Sequence, residues 1–225
     1  MVESHFHGIE LLPEIGPPRQ LFILLHGVGA QPSDLLPLAL RLNDAFPDGA
    51  FLMPDGIATF DGGGSGRQWF SIDGVTEENR VARVAAAMPL LHRLIREAQQ
   101  RLGILQTDTA LLGFSQGAIM ALEYIIAHDG GAGRVIAFSG RFAKLPDRVP
   151  EFTTLHLLHG EADRVIPVMY AYAAYQRFSE LQGDATIDVA TNVGHEIHPV
   201  LAERAIRRLQ TCIPLRSWKH ALNGV

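Results

Sequence analysis

A chain of 225 residues, 47% hydrophobic and 19% charged, has the length and balance of one globular α/β domain, which excludes a disordered or fibrous protein. The formal net charge is −5, and all but two of the 19 basic residues are arginines scattered along the chain, so the clustered basic footprint of a nucleic-acid binder is missing. With one cysteine, Cys212, there is no internal disulfide framework, and no apolar run approaches the roughly 18 residues of a membrane span. Residues 1–5 carry neither a basic nor an apolar leader region, and a cytoplasmic protein with no integral membrane association is expected.

In chain order, residues 6–12 read as an edge strand. Residues 21–25 (Leu-Phe-Ile-Leu-Leu) are continuously apolar, the mark of a strand buried on both faces. Ser33 or Asp34 can cap a helix running to about Phe46, and residues 50–53 form the next strand, halted by Pro54-Asp55. A long loop over 55–76 carries a glycine-rich centre at 62–66. Thr76-Glu77-Glu78-Asn79 then opens a helix reaching about Leu102, with Gly103 as its stop and Pro89 as an expected kink. Strands follow near 109–114, 134–138, 154–159 and 185–191, and helices near 116–128, 167–182 and 198–211. The tail after Pro214 has no assignment. Short apolar runs alternating with helical patterns predict a mostly parallel sheet flanked by helices, forming one domain over 1–225.

The strand at 109–114 runs into Gly113-Phe114-Ser115-Gln116-Gly117, and an apolar helix continues from Ala118. G-x-S-x-G in that setting is the nucleophile elbow of α/β-hydrolases, a sharp turn that lifts a serine hydroxyl above a parallel sheet. A serine needs a base to take its proton and an acid to orient that base. Asp163 follows the strand at 154–159, and His195 follows the strand at 185–191, in the order Ser, Asp, His. Glu161 competes for the acid role, but Asp163 is better placed relative to the helix start at Pro167. His156 and His159, within an apolar strand, read as structural groups, and a His195–His198 metal site lacks the H-E-x-x-H pattern. Two oxyanion donors are expected, the backbone N–H of Gln116 and that of Val28 in the His26-Gly27-Val28-Gly29 turn. The 62–66 tract lacks phosphate-loop spacing and reads as a flexible active-site loop, with Trp69 and Phe70 as walls of an apolar pocket or as core. Cys212, late in a helix, reads as an inert buried thiol.

These motifs resemble the phospholipase/carboxylesterase family of serine hydrolases, which includes the acyl-protein thioesterases. Leu25-His26-Gly27-Val28-Gly29, Gly113 to Gly117, His159-Gly160-Glu161-Ala162-Asp163 with Val165-Ile166-Pro167, and Gly194-His195 carry the resemblance across about residues 20–210. Arg67 to Ser71 and Gly117 to Glu123 look closest to a bacterial esterase branch. The resemblance implies an α/β-hydrolase fold, a Ser115–Asp163–His195 triad, oxyanion donors at Val28 and Gln116, and no cofactor or metal. Two positions depart from many thioesterase members, Ala30 where an acidic residue is usual and Ala118 where glycine is. The expected activity is hydrolysis of small-molecule carboxylic esters, thioesters included, through an acyl-enzyme, in a monomer or homodimer. Acyl-protein thioesterase or lysophospholipase activity is the nearest alternative, and a non-catalytic binding module is an alternative of another class. Lactone hydrolases of the dienelactone type share the fold but usually place cysteine at the elbow. The segment from about Ser139 to Thr153 is too short for a cap domain and implies an open site for short or partly exposed acyl chains.

Overall fold

Buried-strand runs and amphipathic helices assemble around one seven-stranded sheet in the computed structural model, which describes residues 7–223. Strands β1 (Gly8–Leu11), β2 (Gln20–Leu25) and β3 (Gly49–Pro54) are joined, after the short hairpin of β4 (Ala58–Thr59) and β5 (Arg67–Gln68), by β6 (Thr109–Phe114), β7 (Arg134–Phe138), β8 (Thr154–Gly160) and β9 (Ala185–Ala190). The order across the main sheet is β1-β3-β2-β6-β7-β8-β9. Only β1 runs antiparallel, pairing with β3; every other neighbouring pair is parallel. The strand expected over 6–12 forms over Gly8–Leu11, with His7 and Leu12 outside it, and residue 6 lies outside the described residues.

Six α-helices accompany the sheet: α1 (Leu36–Ala45), α2 (Glu77–Leu102), α3 (Gln116–Ala127), α4 (Met169–Glu180), α5 (Pro199–Thr211) and α6 (Leu215–Asn223). Successive strand residues alternate between faces, and the strands are apolar on both. Leu21, Ile23 and Leu25 bury against α2, α3 and α4, while Phe22 and Leu24 bury against α1 and α5. This two-sided demand is why the runs at 21–25 and 109–114 show no polar alternation.

Local chemistry sets the helix ends. Thr76 Oγ1 accepts from the Asn79 N–H while Asn79 Oδ1 accepts from the Thr76 N–H, a reciprocal cap at the start of α2. Gly103 ends α2 in the left-handed conformation. The 26-residue helix continues through Pro89, which lies on its exposed side. Neither Ser33 nor Asp34 starts the first helix. A single 3₁₀ turn over Pro32–Leu35 precedes α1, with Gln31 at its N-cap, its N–H donating to Asp34 Oδ2. Cys212 sits just past α5 and is half-buried rather than buried within a helix. The unassigned tail forms α6.

A histidine inside β8 has a cost that depends on pH. His156 is fully buried; its Nδ1 lies 2.8 Å from Thr186 Oγ1, and its Nε2 has no partner among the described residues. Burial, reinforced by the charges of Arg134 and Arg208, pushes its pKa down to about 3. The unfolded chain therefore binds a proton that the folded chain refuses between about pH 6.5 and 3, and stability falls as pH drops through that window. His156→Val is expected to remove that proton. From pH 7 to 5, urea unfolding of the parent protein should lose about 2 kcal/mol more than the variant does. Equal acid sensitivity in both would place its source elsewhere.

Candidate active site

The chain turns sharply where β6 becomes α3. Ser115 has φ 54° and ψ −115°, a conformation that L-residues avoid, and its N–H donates to the Phe138 carbonyl 3.0 Å away. The turn requires glycine behind it: a Cβ on Gly117 would overlap the carbonyls of Leu25 and His26. Ser115 is thereby lifted off the C-terminal end of the central strand, where loops from neighbouring strands converge.

Two of those loops are stitched together. Beyond β8, the Glu161 and Ala162 N–H groups donate to the Ala190 and Val193 carbonyls, each at 2.9 Å, and a Cβ on Gly160 would overlap the 193–194 backbone. The loop after β8 and the loop after β9 are therefore bound to each other, and they carry Asp163 and His195. His195 Nδ1 lies 2.7 Å from Asp163 Oδ2, and His195 Nε2 lies 2.9 Å from Ser115 Oγ. With the Nδ1–H donating to the carboxylate, Nε2 is left to accept the serine O–H. The Phe114 ring rests on the imidazole at a centroid distance of 4.9 Å.

Asp163 is held by more than the imidazole. Its Oδ1 accepts from the Val165 and Ile166 N–H groups, both at 2.9 Å. Burial pushes this carboxyl up, but the hydrogen bonds from His195, Ile166 and Val165 outweigh it and hold the group below its ordinary value, as a carboxylate. His159 braces the same loop: its Nε2–H donates to the Ile166 carbonyl at 2.7 Å and stands 3.3 Å from Asp163 Oδ2. Burial lowers the His159 pKa, so it stays a neutral strut beside the acid. Glu161 is exposed, and its side chain makes no hydrogen bond or ion pair to any of the described residues. Asp163→Asn is accordingly expected to lower kcat about 10⁴-fold, while Glu161→Gln stays within twofold, as steady-state ester hydrolysis would measure. A loss at Glu161 and none at Asp163 would reverse the assignment.

The turn after β2 faces the serine from the other side. Gly27 packs against Ser115 Cβ and the Phe114 ring, Gly29 has φ 75°, and its N–H donates to the Arg67 carbonyl at 2.8 Å. The Ala30 N–H donates back to Gly27. The N–H groups of Val28 and Gln116 donate to no protein acceptor among the described residues. Both amides are therefore free to donate to a bound oxygen.

The Gln116 side chain had no role in the sequence reading, and here it is a brace. It is 3% exposed; Oε1 accepts from the Trp69 N–H and Nε2 donates to the Phe70 carbonyl, both at 2.8 Å. The indole Nε1–H of Trp69 donates to the His26 carbonyl at 2.9 Å, and His26 Nε2 accepts from the Gly56 N–H at 2.9 Å. The segment after β5 therefore ties both candidate donor turns together. Trp69 and Phe70, 1% and 7% exposed, belong to the core on the α2–α3 side. The one legible signal for Gln116 was an amide side chain opening an otherwise apolar helix.

Nor is the glycine-rich loop free. The Asp61 carboxylate accepts from Gln68 Nε2 at 2.7 Å, Ser71 Oγ at 2.8 Å and the Ile72 N–H at 2.9 Å. Those hydrogen bonds hold its pKa down at about 2. His198 is not aimed at His195: its Nδ1 accepts from the Val200 N–H at the start of α5.

A mostly parallel sheet with a strained serine elbow at its centre, and a carboxylate and an imidazole on the loops after its last two strands, β8 and β9, is an α/β-hydrolase. Residues 9–213 match the phospholipase/carboxylesterase family. Esterase YpfH of Escherichia coli is 42% identical over 98% of this chain and 94% of its own. Acyl-protein thioesterase 1 of Saccharomyces cerevisiae is 27% identical over 77% of this chain and 83% of its own. Among solved structures, esterase PE8 superposes with a TM-score of 0.85 at 30% identity, covering 91% of this chain and 98% of that one. The chain belongs to the phospholipase/carboxylesterase family and is a hydrolase of that group.

Proposed function

We propose that this protein is a serine carboxylesterase for short to medium acyl esters, with Ser115 as nucleophile, His195 as general base and acid, and Asp163 as the group that orients the imidazole. The observation that carries the reading is the continuous hydrogen-bond chain from Ser115 Oγ through His195 to a buried Asp163 carboxylate, at 2.9 and 2.7 Å. His195 Nε2 takes the serine proton as Oγ attacks the ester carbonyl. The carbonyl oxygen becomes an oxyanion received by the Val28 and Gln116 N–H groups, and Asp163 stabilises the imidazolium. The imidazolium then protonates the departing alcohol, the acyl group stays on Ser115, and a water activated by the same imidazole releases the acid.

The elements flanking Ser115 support an open site, since no helix or strand is formed between β7 and β8. Among the described residues no helix is long and apolar enough to cross a membrane, and the reading is of a cytoplasmic enzyme meeting its esters in solution. A series of p-nitrophenyl esters from two to sixteen acyl carbons tests it. A stoichiometric burst of nitrophenol and a kcat/KM optimum at the short end are expected. Ester turnover with no acyl group trapped on Ser115, read by mass spectrometry after acid quench, and with no fluorophosphonate labelling would sink the acyl-enzyme reading, and an optimum at sixteen carbons would sink the open site.

A further inference from the structure

Beside the elbow lies a cavity of about 490 Å³ between α1 and α5. Gly27 and Ala30, on either side of Val28, form one wall, and Phe114 and Ile197 close it toward the loop of His195. It is therefore bounded by the turn that carries Val28 and by the Phe114 ring, whose centroid lies 4.9 Å from that of the His195 imidazole. A leaving alcohol must stand next to His195 Nε2 to receive its proton, so this space suits the other half of the ester.

Besides its apolar residues, the cavity is lined by the buried His26 and by two charged side chains, Asp34 and Arg41. Asp34, Leu38 and Arg41, at i, i+4 and i+7, line it from one face of the first helical segment. Asp34 spends its carboxylate on the Gln31 N–H at 2.9 Å. Arg41 is exposed, and no salt bridge or hydrogen bond joins its guanidinium to Asp34, to Asp44 one turn on, or to any other of the described residues. A cation without a partner at the edge of an apolar cavity of ligand size is a specificity element in search of an anion.

We propose that this cavity receives the acyl group and that Arg41 favours acyl groups ending in a carboxylate. The proposal rests on Ser115 being the acyl acceptor and deepens that reading to a substrate class, the monoesters of short dicarboxylic acids. The pair is solvent-accessible and so its contribution is modest, a factor of roughly two to five in selectivity.

The test compares the parent protein, Arg41→Ala and Arg41→Glu on p-nitrophenyl butyrate, on p-nitrophenyl monoesters of succinate and glutarate, and on butyrate esters with the carboxylate in the alcohol. The expected result is a two- to fivefold fall in the monoester-to-butyrate ratio of kcat/KM for Arg41→Ala. Arg41→Glu should fall further, with the change carried by KM for the monoesters and the effect shrinking in 1 M salt. Equal ratios in all three proteins overturn the proposal. So does an effect that follows the alcohol-side carboxylate. Failure of the underlying reading shows separately, as butyrate hydrolysis that survives Ser115→Ala.

Discussion

Ser115→Ala is expected to lower ester turnover by about 10⁶-fold and to abolish covalent labelling by a fluorophosphonate probe. The hydroxyl is the only group at the elbow that can bond to the acyl carbon, and without it His195 has no proton to take. Residual hydrolysis above water, of order 10³-fold, would come from the oxyanion amides and from substrate positioning. The fold should survive: among the described residues Ser115 Oγ hydrogen-bonds to His195 alone, while the backbone N–H keeps its bond to Phe138. A companion variant separates strain from chemistry. Glycine accepts a φ of 54° without penalty, so Ser115→Gly should be equally inactive yet more stable by about 1 kcal/mol, or about 2–4 °C in Tm for a chain of this size. Full fluorophosphonate labelling of Ser115→Ala would overturn the assignment of the nucleophile.

Gln116→Leu is expected to lower kcat by about 10²-fold with little change in KM, although the backbone N–H proposed to receive the oxyanion is kept. Leucine has nearly the same volume but neither accepts from the Trp69 N–H nor donates to the Phe70 carbonyl. Both backbone groups are then buried without partners, at about 1–3 kcal/mol each, and the loop relaxes toward water to satisfy them. That movement carries Trp69 away from the His26 carbonyl, and with it the turn that presents Val28. Losing one oxyanion donor typically costs 10²–10³ in turnover. Gln116→Glu discriminates further: a carboxylate still accepts from Trp69, but donates to Phe70 only when protonated. Its activity relative to the parent should therefore rise as pH falls toward the carboxyl's pKa. If Gln116→Leu loses stability and keeps kcat, the brace is structural alone.

The elements that the sequence disclosed best are those with strong local signals. The run at 21–25, the Thr76–Asn79 cap with Gly103 as its stop, and the G-x-S-x-G between strand and helix all have their structural counterparts within a residue or two. The start of the first helix was misplaced, because Ser33 and Asp34 are cap formers by type while Gln31 holds the cap position only in the folded loop. The tail after Pro214 was illegible for a similar reason. A single short helix carries too few periodic residues to distinguish it from a loop.

Ser115, Asp163 and His195 could be picked as candidates from the G-x-S-x-G motif and chain order together, since each follows a strand of a parallel sheet and the C-terminal strand ends share one edge. Their hydrogen-bond distances, and the exposure of Glu161 against the burial of Asp163, come only from the pairing of β8 with β9. Trp69 and Phe70 show the limit most plainly. Composition marks them as apolar and loop-borne, which fits a pocket wall and a core brace equally. What decides between those roles is a contact 47 residues away in sequence, the Gln116 amide meeting the Trp69 N–H. Local propensity and chain order thus determined the class of fold and the candidates for chemistry. Which polar groups pair, and which arginine at the rim is left unpaired, was decided by long-range packing, because hydrogen-bond partners that are distant in sequence leave no periodic trace in it.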